Sequence, residues 1–269
     1  MKLLYEELTY QIRSSIFEVR KEIGAGFDEE TYHQCLLLSF HRQEFPFISK
    51  ESRALMHRGE LIRNFVNDFV LFDKIILSVK CIPCKFLQTH YVQLFSELKL
   101  WKKKLGLIVN FGLPDVDIER YVFDEKEPVF IENYESIRNQ TSQQEKEIID
   151  QLRKAIQSVA VEHKPGYGKV VWRKIMEAEL NALGIPFSKN NLIPVRFFGR
   201  TVRTYRLRHL IVNNRILLAI NALQKGIEQF DIANMQSYLK ALNLSVGVIV
   251  NFGKAQVHIS GVRAPRREN

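Results

Sequence analysis

Apolar residues recur at helical spacing at Ile12, Ile16, Val19 and Ile23, and again at Ile148, Leu152, Ile156 and Val159. Both stretches predict amphipathic helices with one buried stripe. A glycine-containing turn follows each, Gly24–Gly26 and Pro165–Gly168, and a second helix is expected over about 28–43 and 169–183, closed by Pro46 and Pro186. The pattern then changes to β-branched runs, about 61–72 and 74–81, then about 201–212 and 215–221, with hairpin turns at Phe72-Asp73 and Asn213-Asn214. A further helix is expected over about 87–104 and 229–243. Short apolar strands follow at 107–110 and 248–251, and last strands near 117–123 and 255–260.

The two halves of this pattern are copies. Leu105-Gly-Leu-Ile-Val-Asn-Phe-Gly112 returns as Val246-Gly-Val-Ile-Val-Asn-Phe-Gly253, and Lys74-Ile-Ile-Leu77 returns as Arg215-Ile-Leu-Leu218. The expected organisation is a first domain over 1–132, a polar linker over 133–144 and a second domain over 145–269. Each is an α/β unit with a mixed central sheet flanked by helices.

Composition narrows the class. Of 269 residues 46% are hydrophobic and 26% charged, with 18 Phe and 9 Tyr, which suits a globular core and not a disordered chain. No apolar run approaches the roughly 20 residues of a membrane span, and Glu6 and Glu7 interrupt any secretory pattern. Three cysteines point to a reducing compartment, so an intracellular location, cytoplasmic or nucleoid-associated, is expected. The net charge of +9 is unevenly divided: residues 1–140 hold 19 basic and 21 acidic side chains, residues 141–269 hold 20 and 9. A second half at +11 is suited to a polyanion.

The first copy carries Gly26-Phe-Asp-Glu29-Glu-Thr-Tyr32, then Gln93-Leu-Phe-Ser-Glu-Leu-Lys99 and the tail GLIVNFG. Over about 10–125 it resembles the GxxExxY family of the PD-(D/E)XK nuclease-like superfamily, and the second copy resembles it more faintly over about 148–262. The resemblance implies two tandem PD-(D/E)XK-like domains. It also implies a divalent-metal nuclease site in which a helix Glu, a strand Asp and an E-x-K pair converge, because Mg²⁺ takes oxygen ligands and needs carboxylates around it. Glu29 and Asp68 would then be the metal-facing carboxylates, with Lys80 and Gln93 beside them. The E-x-K glutamate is replaced by Ser78, and Glu97 stands where the family has a tyrosine one turn after Gln93. In the second copy the equivalent positions are Lys169, His209, Ala219 and Asn221, with Trp172 for Tyr32 and Asn234 for Gln93. No carboxylate survives there.

Arg196, Arg200, Arg203, Arg206 and Arg208 interleave with Phe197, Phe198, Tyr205 and His209, a composition suited to phosphate contact and base stacking. Together with Lys169 they are the candidate nucleic-acid contacts. Cys81-Ile-Pro-Cys84 with His90 falls short of a four-ligand zinc set. Lys102–Lys104 suits a helix C-terminus, and Arg263–Arg267 reads as a basic tail. The expectation is therefore a nucleic-acid-binding relative of nucleases without cleavage, acting as a binding or scaffolding subunit for DNA or RNA, with no cofactor. The alternatives are an active Mg²⁺ nuclease using Glu29, Asp68 and Lys80, and a protein–protein docking module acting through the first half.

Overall fold

The computed structural model of the chain describes residues 3–139, 141–223, 225–253 and 255–265. It divides into two compact units: residues 1–55 with 63–125, and residues 56–62 with 126–269. The first unit contains α1 (Glu6–Ile23), α2 (Glu29–Arg42), β1 (Phe47–Ser49), most of β2 (Ser52–His57) and β3 (Glu60–Val66), then β4 (Phe69–Leu71), β5 (Ile75–Lys80), α3 (Gln88–Leu100), β6 (Leu105–Asn110) and β7 (Asp117–Val122). The second contains β8 (Val129–Asn133), α4 (Gln143–His163), α5 (Lys169–Ala182), β9 (Phe187–Ser188), β10 (Leu192–Phe197), β11 (Arg200–Arg206), β12 (Leu210–Val212), β13 (Ile216–Asn221), α6 (Gln229–Leu242), β14 (Val246–Asn251) and β15 (Gln256–Arg263). Among the described residues no helix is long and apolar enough to cross a membrane.

The two sheets have one topology. The order β1-β4-β5-β6-β7 in the first unit is repeated as β9-β12-β13-β14-β15 in the second. In both, the central pair is parallel and the others antiparallel. The second sheet gains β8, parallel to β15. Residues 126–132 lie with the second unit. The runs 61–72 and 201–212, each read as one strand, are two: β3 and β11 pair only with β2 and β10 in separate hairpins, while β4 and β12 enter the main sheets. Asn67, buried, and Asp68 mark the break in the first run, Leu207–His209 that in the second.

The repeated motifs are packing devices. Asn110 accepts from the backbone N–H of Ile82 and of Gly112, each at 3.0 Å, and donates to the carbonyls of Ile82 and Cys84 at 3.0 Å. Asn251 holds Leu223 and Lys225 in the same way. A Cβ on Gly112 would stand 2.5 Å from the Ile82 backbone, so that position must be glycine. Tyr32 stacks on Phe111 with ring centroids 4.3 Å apart, and Trp172 stacks on Phe252 at 4.0 Å, so the aromatic of the second helix and the Phe of VNFG form one buried pair in each unit. The turn at Phe72-Asp73 has both φ angles positive, as does Asn213-Asn214, which is the backbone a two-residue turn between twisted strands requires.

Candidate functional site

In the first unit α2 begins at Glu29, with Asp28 as N-cap accepting from Thr31 N at 2.8 Å. Such a cap stabilises a helix start by about 1 kcal/mol and fixes where Glu29 stands. Asp68 lies just before β4, and Lys80 ends β5. The structure brings these three together: Lys80 Nζ is 3.6 Å from Glu29 Oε1 and 3.8 Å from Asp68 Oδ2. Asp68 is nearly buried. Its Oδ2 accepts from Val79 N at 2.8 Å and from Ser78 Oγ at 3.4 Å, and its Oδ1 receives the Lys50 ammonium at 2.8 Å. Lys50 was not anticipated. It sits at a tight turn with φ 53°, outside any motif, and only the pairing of β1 with β4 carries it to Asp68.

Gln93 donates to Glu97 Oε1 at 2.8 Å, one turn along α3. Glu97 is 1% exposed and its Oε2 has no hydrogen-bond partner. Burial pushes its carboxyl up to about 7, opposed by the Gln93 hydrogen bond, with the Asp68 charge raising it and the Lys80 and Arg63 charges lowering it. Two ammoniums thus face Asp68 and Glu29, and a third carboxyl, largely neutral below pH 7, stands in the wall.

A divalent metal needs converging carboxylate oxygens. In this unit Asp68 already carries the Lys50 ammonium, and Glu97, the other buried carboxyl near Lys80, keeps one oxygen without a partner. The cysteine pair does not fit: the Cys81 thiol donates to Phe27 O at 2.8 Å, and burial, reinforced by Glu29 and Asp28, raises its pKa and keeps it protonated. His90 Nδ1 accepts from Leu87 N instead.

The second unit holds the counterpart of this pocket and reverses its sign. Lys169 is the first residue of α5, where Glu29 stands in α2, and its Nζ donates to Asn221 Oδ1 at 3.0 Å. With Arg208, His209, Asp231, Asn234 and Tyr238 it lines a pocket of about 200 Å³. Burial lowers the Lys169 pKa, Asp231 raises it, and Arg173 and Arg208 lower it further. Burial, then Lys169 and Arg173, hold His209 down to about 4. A lysine at a helix N-terminus adds to the positive end of the dipole. Burial is the first cause of both depressions, and Asp231 is the one carboxylate among the described residues that line the pocket, too few for a divalent metal.

The five arginines do not share one face. Arg196, Arg200, Arg203 and Arg206 lie on the exposed β10–β11 hairpin, where a register shift between Val195 and Arg196 brings Arg196 opposite Thr201. Paired residues share a face, so Arg203 (opposite Val195) and Arg200 (opposite Phe197) lie on the side of Ile193 and Tyr205, and Arg196 and Arg206 lie on the other. Arg208 leaves the hairpin, because Leu207 turns into the core, and joins the Lys169 pocket. Phe198 is 90% exposed at the hairpin tip beside Phe197, and Tyr205 stacks on Tyr238 at 6.2 Å. The tail residues Arg266 and Arg267 lie outside the described residues.

A family model for the PD-(D/E)XK nuclease superfamily matches the chain twice, over residues 6–121 and 146–263. No curated protein matches. A solved structure described as "Crystal structure of SSO0001" is 18% identical, with a TM-score of 0.30, covering 45% of this chain and 61% of that one. The chain thus spans about three-fifths of that protein's length.

Proposed function

The chain belongs to the PD-(D/E)XK nuclease superfamily in both halves, and from that premise we propose that it binds nucleic acid through its second unit without cutting it. One observation carries this reading: the second pocket has exchanged its metal-facing carboxylates for Lys169 and His209, with Arg208 and Arg173 around them. In the first unit Lys50 and Lys80 neutralise Asp68 and Glu29, which removes the negative potential a metal needs. Phosphates would lie over the Lys169 pocket and along Arg196, Arg200, Arg203 and Arg206, with bases against Phe197 and Phe198. The first unit, without excess positive charge, would serve as the docking surface of a binding or scaffolding subunit. Within the superfamily, Glu29 beside Lys80 and the Tyr32–Phe111 stack support placement with the GxxExxY type.

Glu97 favours a second reading, in which the first unit keeps divalent-metal nuclease chemistry. Its buried, unpartnered oxygen would replace the missing E-x-K glutamate, with Asp68 as the other metal-facing carboxylate and Lys80 neutralising charge at the phosphate. When bound, Mg²⁺ would supply charge stabilisation and an acidified water.

Fluorescence anisotropy with labelled single strands and duplexes of DNA and RNA, between 50 and 300 mM KCl, tests the binding. The logarithm of affinity should fall linearly with that of salt, at a slope of about −0.7 to −0.9 per phosphate contact. Salt-independent binding, or none, would sink the proposal. The same substrates incubated with Mg²⁺ or Mn²⁺ decide between the readings: cleavage abolished by Asp68→Asn and by Glu97→Gln establishes the second.

A further inference from the structure

Away from both pockets, the second unit holds a buried histidine pair with no part in the chemistry above. Residues 56–62 belong to this unit, and in it His57 Nδ1 lies 2.9 Å from His163 Nε2 and 3.3 Å from Glu162 Oε1, while His163 Nε2 lies 3.7 Å from the same oxygen. His57 is 2% exposed and His163 9%. On its other side His57 Nε2 meets Glu179 Oε2 at 2.9 Å, and Glu179 is itself buried and clamped by Arg58, Nε to Oε2 at 2.7 Å and Nη2 to Oε1 at 3.1 Å. Both Glu179 oxygens take Arg58 N–H groups, so the carboxylate meets His57 as an acceptor.

Proton accounting then leaves a conflict. A carboxylate acceptor at Nε2 fixes the hydrogen of neutral His57 there and leaves its Nδ1 as a bare lone pair. That lone pair points at a carboxylate oxygen as well as at the second imidazole. The His163 hydrogen can relieve one of these contacts and not the other. A cation bonded to all three atoms relieves both. Tetrahedral zinc with ligand bonds of about 2.0–2.1 Å has ligand atoms about 3.3 Å apart. The observed separations of 2.9, 3.3 and 3.7 Å bracket that edge. Two imidazoles and one carboxylate are a common zinc donor set, and a carboxylate behind a ligating histidine is the usual outer support. Glu162 is the exposed member, so the fourth position opens to water, and ions can enter past it.

We propose that the second unit binds one Zn²⁺ through His57 Nδ1, His163 Nε2 and Glu162 Oε1, with Glu179 and Arg58 as positioning residues, and that the ion ties residues 56–62 to the C-terminus of α4. The test uses the full chain carrying Asp68→Asn and Glu97→Gln, so that the first unit's carboxylates do not compete. After equilibrium dialysis against zinc sulfate and then metal-free buffer, elemental analysis should find one zinc per chain. Glu162→Gln, at an exposed side chain that leaves the fold intact, should weaken zinc at least tenfold in a chelator competition, and Glu179→Gln by about 10–100-fold. Cobalt(II) in place of zinc should give the visible absorption of a tetrahedral site, lost in His163→Asn. Zinc absent after dialysis, or held equally well by Glu162→Gln and His163→Asn, would overturn the site and leave the cluster as a proton-sharing network.

Discussion

Glu97 offers a thermodynamic test of the first pocket that does not depend on finding a substrate. Its carboxyl titrates near 7 in the folded chain against 4.5 when exposed. Between those values the folded state holds a proton that the unfolded state has lost. Stability should therefore fall as pH rises through this window and level off above about pH 8. At 1.36 kcal/mol per decade the full effect is roughly 3 kcal/mol, of which about 2.5 falls between pH 5 and pH 8. Glutamine has the same shape, can still accept from Gln93 and has no proton to lose. Glu97→Gln should thus gain roughly 2–3 kcal/mol over the parent at pH 8 relative to pH 5. The chain has two tryptophans, Trp101 in the first unit and Trp172 in the second. In a Trp172→Phe background, urea unfolding followed by indole fluorescence reports the first unit alone. A gap that stays constant with pH, or widens toward acid, refutes the assignment of a buried, uncompensated carboxyl. Millimolar Mg²⁺ that stabilises the parent at pH 8 and leaves Glu97→Gln unmoved would favour the metal-binding reading.

Asn110→Ala removes four hydrogen bonds that lock the loop after β5. It should cost about 3 kcal/mol by chemical denaturation, and a loss below about 1 kcal/mol would mean the loop is held otherwise. His209, held down to about 4 in the fold against 6.5 free, stabilises the chain fully only above pH 6.5, and that contribution is lost as pH falls toward 4. A bound polyanion should raise its pKa, so histidine ring shifts followed by NMR should titrate at higher pH with oligonucleotide present, and unchanged titration would place the ligand elsewhere.

Most of the architecture was legible because hydrophobic spacing and an internal repeat constrain it together. Ile12, Ile16, Val19 and their partners in α4 are buried as their spacing predicts. The strand breaks at Asn67-Asp68 and Leu207–His209 were not legible. An apolar run looks continuous whether it stays in one sheet or leaves a hairpin for another, and the difference lies in pairing partners distant in sequence. The convergence of Glu29, Asp68 and Lys80 followed from the resemblance, since those positions are set by the fold. Lys50 and the His57 cluster were invisible to it, as each depends on one turn reaching residues far along the chain. The arginine run was legible as charge and misleading as geometry, because a strand alternates its faces and a bulge changes which face a residue joins.

The central claim is that the second unit carries the nucleic-acid contacts, and paired charge reversal tests it most directly. One variant changes Arg200, Arg203, Arg206 and Arg208 to Glu, and a control changes Lys21, Lys85, Lys102 and Lys104, four exposed lysines of the first unit, to Glu. Circular dichroism checks that both remain folded. Loss of four phosphate contacts should flatten the salt slope by about 3 and weaken binding well over tenfold at 100 mM KCl. The control should change affinity by less than about threefold at that salt, since its residues lie outside the proposed interface. Equal losses in the two variants, or an arginine variant that binds like the parent, would contradict the assignment.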